Sequence, residues 1–326
     1  MTKQSGAFRV GDRVQLTGPK GKLNTITLAA GGAFGTHRGD LKHDEIIGKP
    51  DGSIVKNQNG VEYLALRPLL TDFVMSMPRG AAIIYPKDAA QIVVDGDIFP
   101  GATVIEAGVG SGALSLYLLR AIGTSGTLHS FERRDEFATI AKANVATVHG
   151  EVPKNWQVHL GALQESLSMA VKPETADRAV LDMLAPWECI AAVGDALISG
   201  GVLVVYVATV TQLSRVAEAL RASGRFTEPE ATESMVRGWH LQGLAVRPEH
   251  RMIGHTGFLI RARKLATGAT LPQFKRKQKG DFADEDLEVW NPDHLGMQTK
   301  SEKTIRKTVR KATNAAATQP EQNSQG

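Results

Sequence analysis

The sequence predicts an α/β protein in which a mainly parallel sheet, covered by helices on both faces, follows a small N-terminal β domain. Three observations carry this. Between residues 100 and 223, short apolar runs alternate with amphipathic stretches. The first of these runs ends in a glycine-rich turn that opens a helix. Upstream, residues 7–63 are rich in Gly and carry short β-type runs separated by turn signals such as Gly31-Gly32 and Asp51-Gly52.

In chain order, the β-type runs 13–16, 24–28, 45–47, 53–56 and 62–65 predict a small antiparallel barrel or sheet, a domain of residues 1–66. Residues 67–99 read as a connector or lid, with helices at 69–75 and 89–94 flanking Ile83-Ile84-Tyr85-Pro86-Lys87-Asp88. Residues 100–265 form the main domain. Its strands are expected at 103–106, 127–132, 156–160, 178–182 and 202–208, and its helices at 113–121, 136–148, 188–197 and 212–222. After Phe226, the runs 234–246 and 256–263, joined by Arg247-Pro248-Glu249-His250, predict an antiparallel hairpin closing one edge of the sheet. Residues 266–326 hold like-charge blocks: four Lys/Arg within 275–279, five Asp/Glu within 281–288 and six Lys/Arg within 300–311. So little apolar surface cannot offset chain entropy, and most of 270–326 is expected to be disordered.

A chain of 326 residues, 42% hydrophobic and 22% charged, can bury a full core. Its longest apolar run, 201–210, is far short of the ~20 residues of a membrane span, and the polar start has no signal-peptide core, so a soluble cytoplasmic protein is expected. The single cysteine, Cys189, excludes an internal disulfide and a cysteine-built zinc site. Nine Lys/Arg against six Asp/Glu give residues 1–65 a charge of +3, nineteen against twenty give 66–264 a charge of −1, and ten against eight give 265–326 a charge of +2. A near-neutral body with basic ends suits a polyanionic partner such as nucleic acid.

The strongest motif is Val104-Ile105-Glu106-Ala107-Gly108-Val109-Gly110-Ser111-Gly112-Ala113-Leu114, a strand, a glycine turn and a helix start. Glycines let the backbone approach a ligand closely while helix N-terminal amides face it. The pattern also satisfies the dinucleotide fingerprint, with Gly108, Gly110 and Ala113 in its slots and Glu132 some twenty residues on. Glu106 separates the two readings. A carboxylate at that strand end repels a pyrophosphate and favours the cationic sulfur and ammonium of S-adenosylmethionine. Glu132 is placed to accept ribose hydroxyls. The turn after the third strand, where an acidic residue is common in methyltransferases, offers Ala162 and, three residues on, Glu165.

The fourth strand ends in Asp182, which the strand-end rule places in the crevice beside the donor methyl, and Asp182-Met183-Leu184-Ala185-Pro186-Trp187 is similar to the Asp-Pro-Pro-Trp type of loop that holds an exocyclic amine. Cys189 reads as a buried small residue rather than the nucleophile of a pyrimidine C5 methyltransferase. His240, His250 and His255 lack metal-site spacing, so no metal is expected.

With Tyr85-Pro86-Lys87-Asp88, the glycine turn, Leu181 to Trp187, Tyr206-Val207-Ala208-Thr209-Val210-Thr211-Gln212 and Gly254-His255-Thr256-Gly257-Phe258-Leu259 in this order, the chain resembles the bacterial and archaeal tRNA (adenine-N1)-methyltransferases, its actinobacterial branch most. The resemblance covers residues 7–265. It implies a class I Rossmann-like methyltransferase sheet, S-adenosylmethionine as donor, tRNA as partner, N1 of adenine 58 in the T loop as acceptor, and a homotetramer. Carried over by motif, Ser111 to Leu114 and Glu132 would hold the donor, Asp182 would bind the target adenine and Tyr85 would sit beside it; Phe137 would face the donor's adenine. Two departures are Ala162, where relatives often carry an acid, and Ala82, where a Gln commonly stands. Neutral adenine N1 needs alignment and charge stabilisation rather than a strong base. A catalytically silent tRNA-binding subunit and an NAD-dependent oxidoreductase are the alternatives.

Overall fold

The structure is a computed structural model that describes residues 6–272 and 302–317. The described residues divide into two compact units, one of 6–78 with 143–152 and 310–317, the other of 79–142 with 153–272 and 302–309.

The first unit contains a four-stranded antiparallel sheet in the order β2-β1-β6-β5, from β1 (Arg13–Thr17), β2 (Leu23–Thr27), β5 (Ser53–Lys56) and β6 (Glu62–Leu66), with a separate short pair, β3 (Ala33–Phe34) and β4 (Leu41–Lys42). Period-two alternation buries Val14 and Leu16 with Phe8, Leu28, Val55, Tyr63 and Ala65. The run 45–47, expected as a strand, is not one: His43–Glu45 form a 3₁₀ turn, and the His43 Nδ1 accepts a bond from the Ala29 N–H at 3.1 Å. The Ile46 and Ile47 N–H groups bond back to the His43 carbonyl and so are not offered to a neighbouring strand. Helix α1 (Leu70–Ser76) follows.

The second unit is built on a seven-stranded sheet. It opens with α2 (Pro86–Asp95), whose Pro86 supplies the fixed φ of a helix start. Strands β7 (Thr103–Ala107), β8 (Thr127–Glu132), β9 (Trp156–Leu160), β10 (Ala176–Asp182) and β11 (Leu197–Val207) run parallel, β12 (Glu230–Thr232) and β15 (Phe258–Arg263) complete the sheet, and the order is β12-β15-β11-β10-β7-β8-β9. Counted within the sheet this is 3-2-1-4-5-7-6, with β15 antiparallel to both neighbours. Helices α3 (Ala113–Ile122), α4 (Asp135–His149), α5 (Leu163–Ala170), α6 (Ile190–Ala196) and α7 (Val210–Ser223) connect the strands. The inner strands are mostly apolar, as a sheet covered on both faces requires.

Three sequence expectations change. The edge hairpin is not built from 234–246 and 256–263. Instead β13 (Trp239–Gln242) and β14 (Ala245–Pro248) form a two-stranded ribbon of their own, because Gly243 at φ +53° turns the chain within the first run; only β15 enters the sheet. The helix expected at 188–197 starts with a 3₁₀ turn, Pro186–Cys189, and its last residue belongs to β11. The expected disorder of the tail fails at α8 (Glu302–Ala317), where Ile305 and Val309 are half-buried and Ala312 buried at helical spacing; the charge blocks 275–279 and 281–288 lie outside the described residues. Among the described residues no helix is long and apolar enough to cross a membrane.

Candidate active site

The glycine turn stands where the strand order reverses, between the carboxyl ends of β7 and β10, the crevice in which open α/β sheets bind ligands. Gly108 has φ +87°, and a Cβ there would lie 1.7 Å from the Asp182 carbonyl oxygen. Gly112, φ +80°, caps α3, where a Cβ would meet Ala141 at 3.2 Å. Only glycine fits either position, and the turn delivers the unpaired first-turn amides of α3 to the crevice.

Glu106, which the sequence reading set beside the donor, has no exposed surface. Its oxygens accept bonds from the Ser115 hydroxyl (2.7 and 3.0 Å) and the Ser130 hydroxyl (2.5 Å), and burial pushes its carboxyl up to about 7 despite them. It supports the turn from beneath. Glu132, 4% exposed at the end of β8, accepts the Gly110 N–H at 3.0 Å through one oxygen and the Arg134 N–H at 3.1 Å through the other. It fastens the turn; the Arg134 Nε lies a further 3.5 Å from the second oxygen, and the oxygen that holds Gly110 keeps a lone pair.

Asp182 ends β10 beside the turn. Its residue is half-buried, its carboxylate accepts no hydrogen bond among the described residues, and desolvation, then Glu106 and Glu132, raise it to about 7. Its register neighbour on β11 is Tyr206, whose hydroxyl donates to the Thr256 carbonyl at 2.6 Å. Burial, then Asp88, push that phenol up to about 12, with smaller contributions from Asp182 and Tyr85, so these four side chains share one neighbourhood. Tyr85 is half-buried immediately before α2.

Below them lies a network the sequence reading missed. Lys87 Nζ donates to Asp88 (2.6 Å), to the Ser234 carbonyl (2.8 Å) and to Thr256 Oγ1 (2.6 Å), while the Ser234 and Thr256 hydroxyls donate to Asp88 (2.9 and 2.6 Å). Asp88 is 1% exposed. A buried ion pair is tolerable only when its remaining valences are met, as they are here. The sequence marked Lys87, Asp88 and Thr256 within two separate motifs but not that they meet, nor that Ser234 joins them.

Other expected site residues turn inward. Phe137 is 2% exposed, lies where a Gly80 Cβ would stand 2.5 Å from its ring, and has the Arg134 guanidinium 3.7 Å over its face, so its ring is packed among protein atoms. Ser111 is buried, its hydroxyl accepting the Gly80 N–H, and the side chains of Ala113 and Leu114 are buried too, leaving this stretch its backbone for binding. Ala162 precedes α5 and is 8% exposed, while Glu165 is exposed in the first turn of that helix. Cys189 is buried beside Gln164 and Met183, and burial pushes its thiol up to about 11, which makes it inert.

The crevice thus gathers two carboxylates, Glu132 and Asp182, at a glycine cradle that the buried Glu106 supports from beneath. This charge set fits a sulfonium donor and repels a pyrophosphate, which disfavours the dinucleotide reading.

Fold order, cradle and charge define an S-adenosylmethionine-dependent methyltransferase of the class I type. Comparison with known proteins narrows this. Residues 63–246 match the family described as tRNA methyltransferase complex GCD14 subunit, and residues 6–55 match the TrmI-like N-terminal domain. The chain belongs to this tRNA methyltransferase family. It is 32% identical over 250 residues to the tRNA (adenine(58)-N(1))-methyltransferase TrmI of Thermus thermophilus, covering 75% of this chain and 94% of that protein. A Methanocaldococcus jannaschii enzyme named for adenines 57 and 58 is 30% identical over 71% of this chain and 87% of its own length. Among solved structures, a SAM-dependent O-methyltransferase from Thermotoga maritima superposes with TM-score 0.75 at 29% identity, covering 85% of this chain and 98% of that one. The tRNA (m1A58) methyltransferase TrmI from Aquifex aeolicus gives 0.71 at 27%, covering 80% and 100%.

Proposed function

We propose that this protein transfers a methyl group from S-adenosylmethionine to N1 of adenine 58 in the T loop of tRNA. The observation that carries the reading is Asp182, whose backbone packs against the glycine turn at the strand-order switch and whose carboxylate is desolvated and accepts no hydrogen bond among the described residues. Such a group has capacity for the N6 amine of an adenine and opposes the positive charge that N1 methylation places on the ring.

The donor supplies an electrophilic methyl on a cationic sulfur. The backbone of the turn from Gly108 to Leu114 cradles it, and Glu132 offers its remaining lone pair to the ribose hydroxyls. Asp182 and Tyr85 orient the target base, which must leave its stack to expose its Watson–Crick edge. Asp182 takes no proton from N1, whose lone pair is already free; it aligns and stabilises. The intact turn and Asp182 favour a catalytic chain over a silent tRNA-binding subunit.

The relatives' names support tRNA as substrate, and the basic ends suit it. Cytoplasmic location follows from that substrate. Homotetramer assembly rests on the family resemblance and on the exposed apolar ribbon of Trp239, Leu241, Leu244 and Val246, a surface suited to a second copy. Incubation of tRNA with protein and donor, followed by nucleoside mass spectrometry with position mapping, is expected to give 1-methyladenosine at position 58; unmodified tRNA would overturn the reading.

A further inference from the structure

The loop that follows Asp182 leaves the sheet, so its position is set by what holds it from outside. One side chain of α7 does so. Gln212 Nε2 donates to the Leu184 carbonyl at 3.1 Å, two residues beyond Asp182. The other end of the same amide closes a capping box: Oε1 accepts the N–H of Ala208 (3.2 Å), the N–H of Thr209 (3.1 Å) and the Thr209 hydroxyl (3.1 Å), and the Gln212 N–H donates to Thr209 Oγ1 at 3.2 Å. The two ends therefore do separable work, one capping a helix and one reaching across to the loop. Further along α7, the Arg215 guanidinium stands 3.9 Å over the Trp187 ring, holding the far end of the loop.

We infer that Gln212 is a positioning residue for methyl transfer: its Nε2 bond tethers the Asp182 loop at Leu184 and so fixes where the Asp182 carboxylate meets the target base. The inference rests on Asp182 being the group that meets the adenine. Cap and tether share one residue because the strand-to-helix turn at Ala208–Thr209 follows β11, which lies beside β10 in the sheet. A glutamine satisfies both; a glutamate satisfies only the cap, since it accepts from the N–H groups but has no donor for a carbonyl. The Ala208 carbonyl faces His255 Nε2 at 3.2 Å, so the turn that Gln212 caps is itself held on its other side.

That asymmetry supplies the test. In Gln212→Glu the capping box survives, because Glu serves it as well as Gln, and only the tether is lost. Expected are an unchanged melting temperature and donor affinity, an essentially unchanged KM for tRNA, and a kcat lowered roughly 3- to 10-fold, the scale of one neutral hydrogen bond. Gln212→Ala is expected to show the same loss in kcat together with a lower melting temperature. The kcat of Gln212→Glu is read from pH 6 to 9, because a lost tether lowers the plateau whereas an added charge only moves the acid limb. A Gln212→Glu enzyme with full kcat on the plateau overturns the inference, as does a loss confined to the acid limb. If the wild-type protein itself leaves tRNA unmodified, the functional reading falls and the inference with it; a methylating wild type with an unaffected variant removes the tether alone.

Discussion

The backbone carbonyl of Asp182 and the Cα of Gly108 pack so closely that a Cβ on Gly108 would stand 1.7 Å from the carbonyl oxygen. The glycine turn and the end of β10 are therefore one packed unit, and a side chain at 108 disturbs both. Gly108→Ala adds the cost of φ +87° to this overlap, about 1–2 kcal/mol for the conformation and a further ~1–3 for the backbone shift. Thermal unfolding should show a melting temperature lower by several degrees, and calorimetry a weakened donor. A variant with unchanged melting and donor affinity would contradict the packing.

Asp182→Ala should lower kcat about 100-fold or more while leaving donor affinity nearly intact, the scale of losing one positioned electrostatic group. Because the carboxyl titrates near 7 and must be ionised to accept from an amine, kcat/KM of the wild type should fall as pH drops below about 7. Steady-state kinetics across pH checks both. Equal loss of donor affinity would move Asp182 to the donor side.

Glu132→Ala should act on donor binding first, since a carboxylate that fastens Gly110 and serves the ribose works in the ground state as well as the transition state. Donor affinity is expected to fall about 10-fold, the loss of one or two charge-assisted hydrogen bonds. Calorimetric titration with unchanged affinity would sink this assignment.

Glu106 gives a stability prediction of definite sign. Burial raises its carboxyl from 4.5 to about 7 in the folded protein, so the folded state binds the proton more tightly than the unfolded chain. Its contribution is fully present below about 4.5 and is lost as pH rises through 7. Glu106→Gln removes that dependence while keeping an amide for Ser115 and Ser130. Denaturant unfolding should find the variant more stable than wild type at pH 8, by ~1–3 kcal/mol, with the gap closing towards pH 5. A variant less stable at pH 8 would mean that the hydroxyl bonds outweigh the desolvation.

In α8, Ile305, Val309 and Ala312 are half-buried or buried, while Lys307, Arg310 and Lys311 are exposed. Changing these three cations to Gln should weaken tRNA binding and flatten its dependence on salt by a log–log slope of about 2–3, without affecting the donor. Binding measured at several salt concentrations decides; an identical slope would confine the RNA surface to the rest of the chain.

The sequence by itself determined the strand–turn–helix of 103–122, the parallel alternation through β11, and Glu132 and Asp182 at strand ends. These are local matters: period, turn chemistry and a strand end that the glycines mark. Cys189 as a buried small residue was legible in the same way, from its place at the start of an expected helix. What only the tertiary structure decided is which atoms each side chain meets. That Glu106 is bonded to Ser115 and Ser130, and that Phe137 is enclosed by Gly80 and Arg134, could not be read from the motif. The Lys87–Asp88–Thr256 network and the Gln212–Leu184 tether join residues 28 to 169 positions apart. Desolvation and hydrogen-bond satisfaction are set by the full three-dimensional surroundings, so a motif marks where a carboxylate stands but not whether it is left free to act.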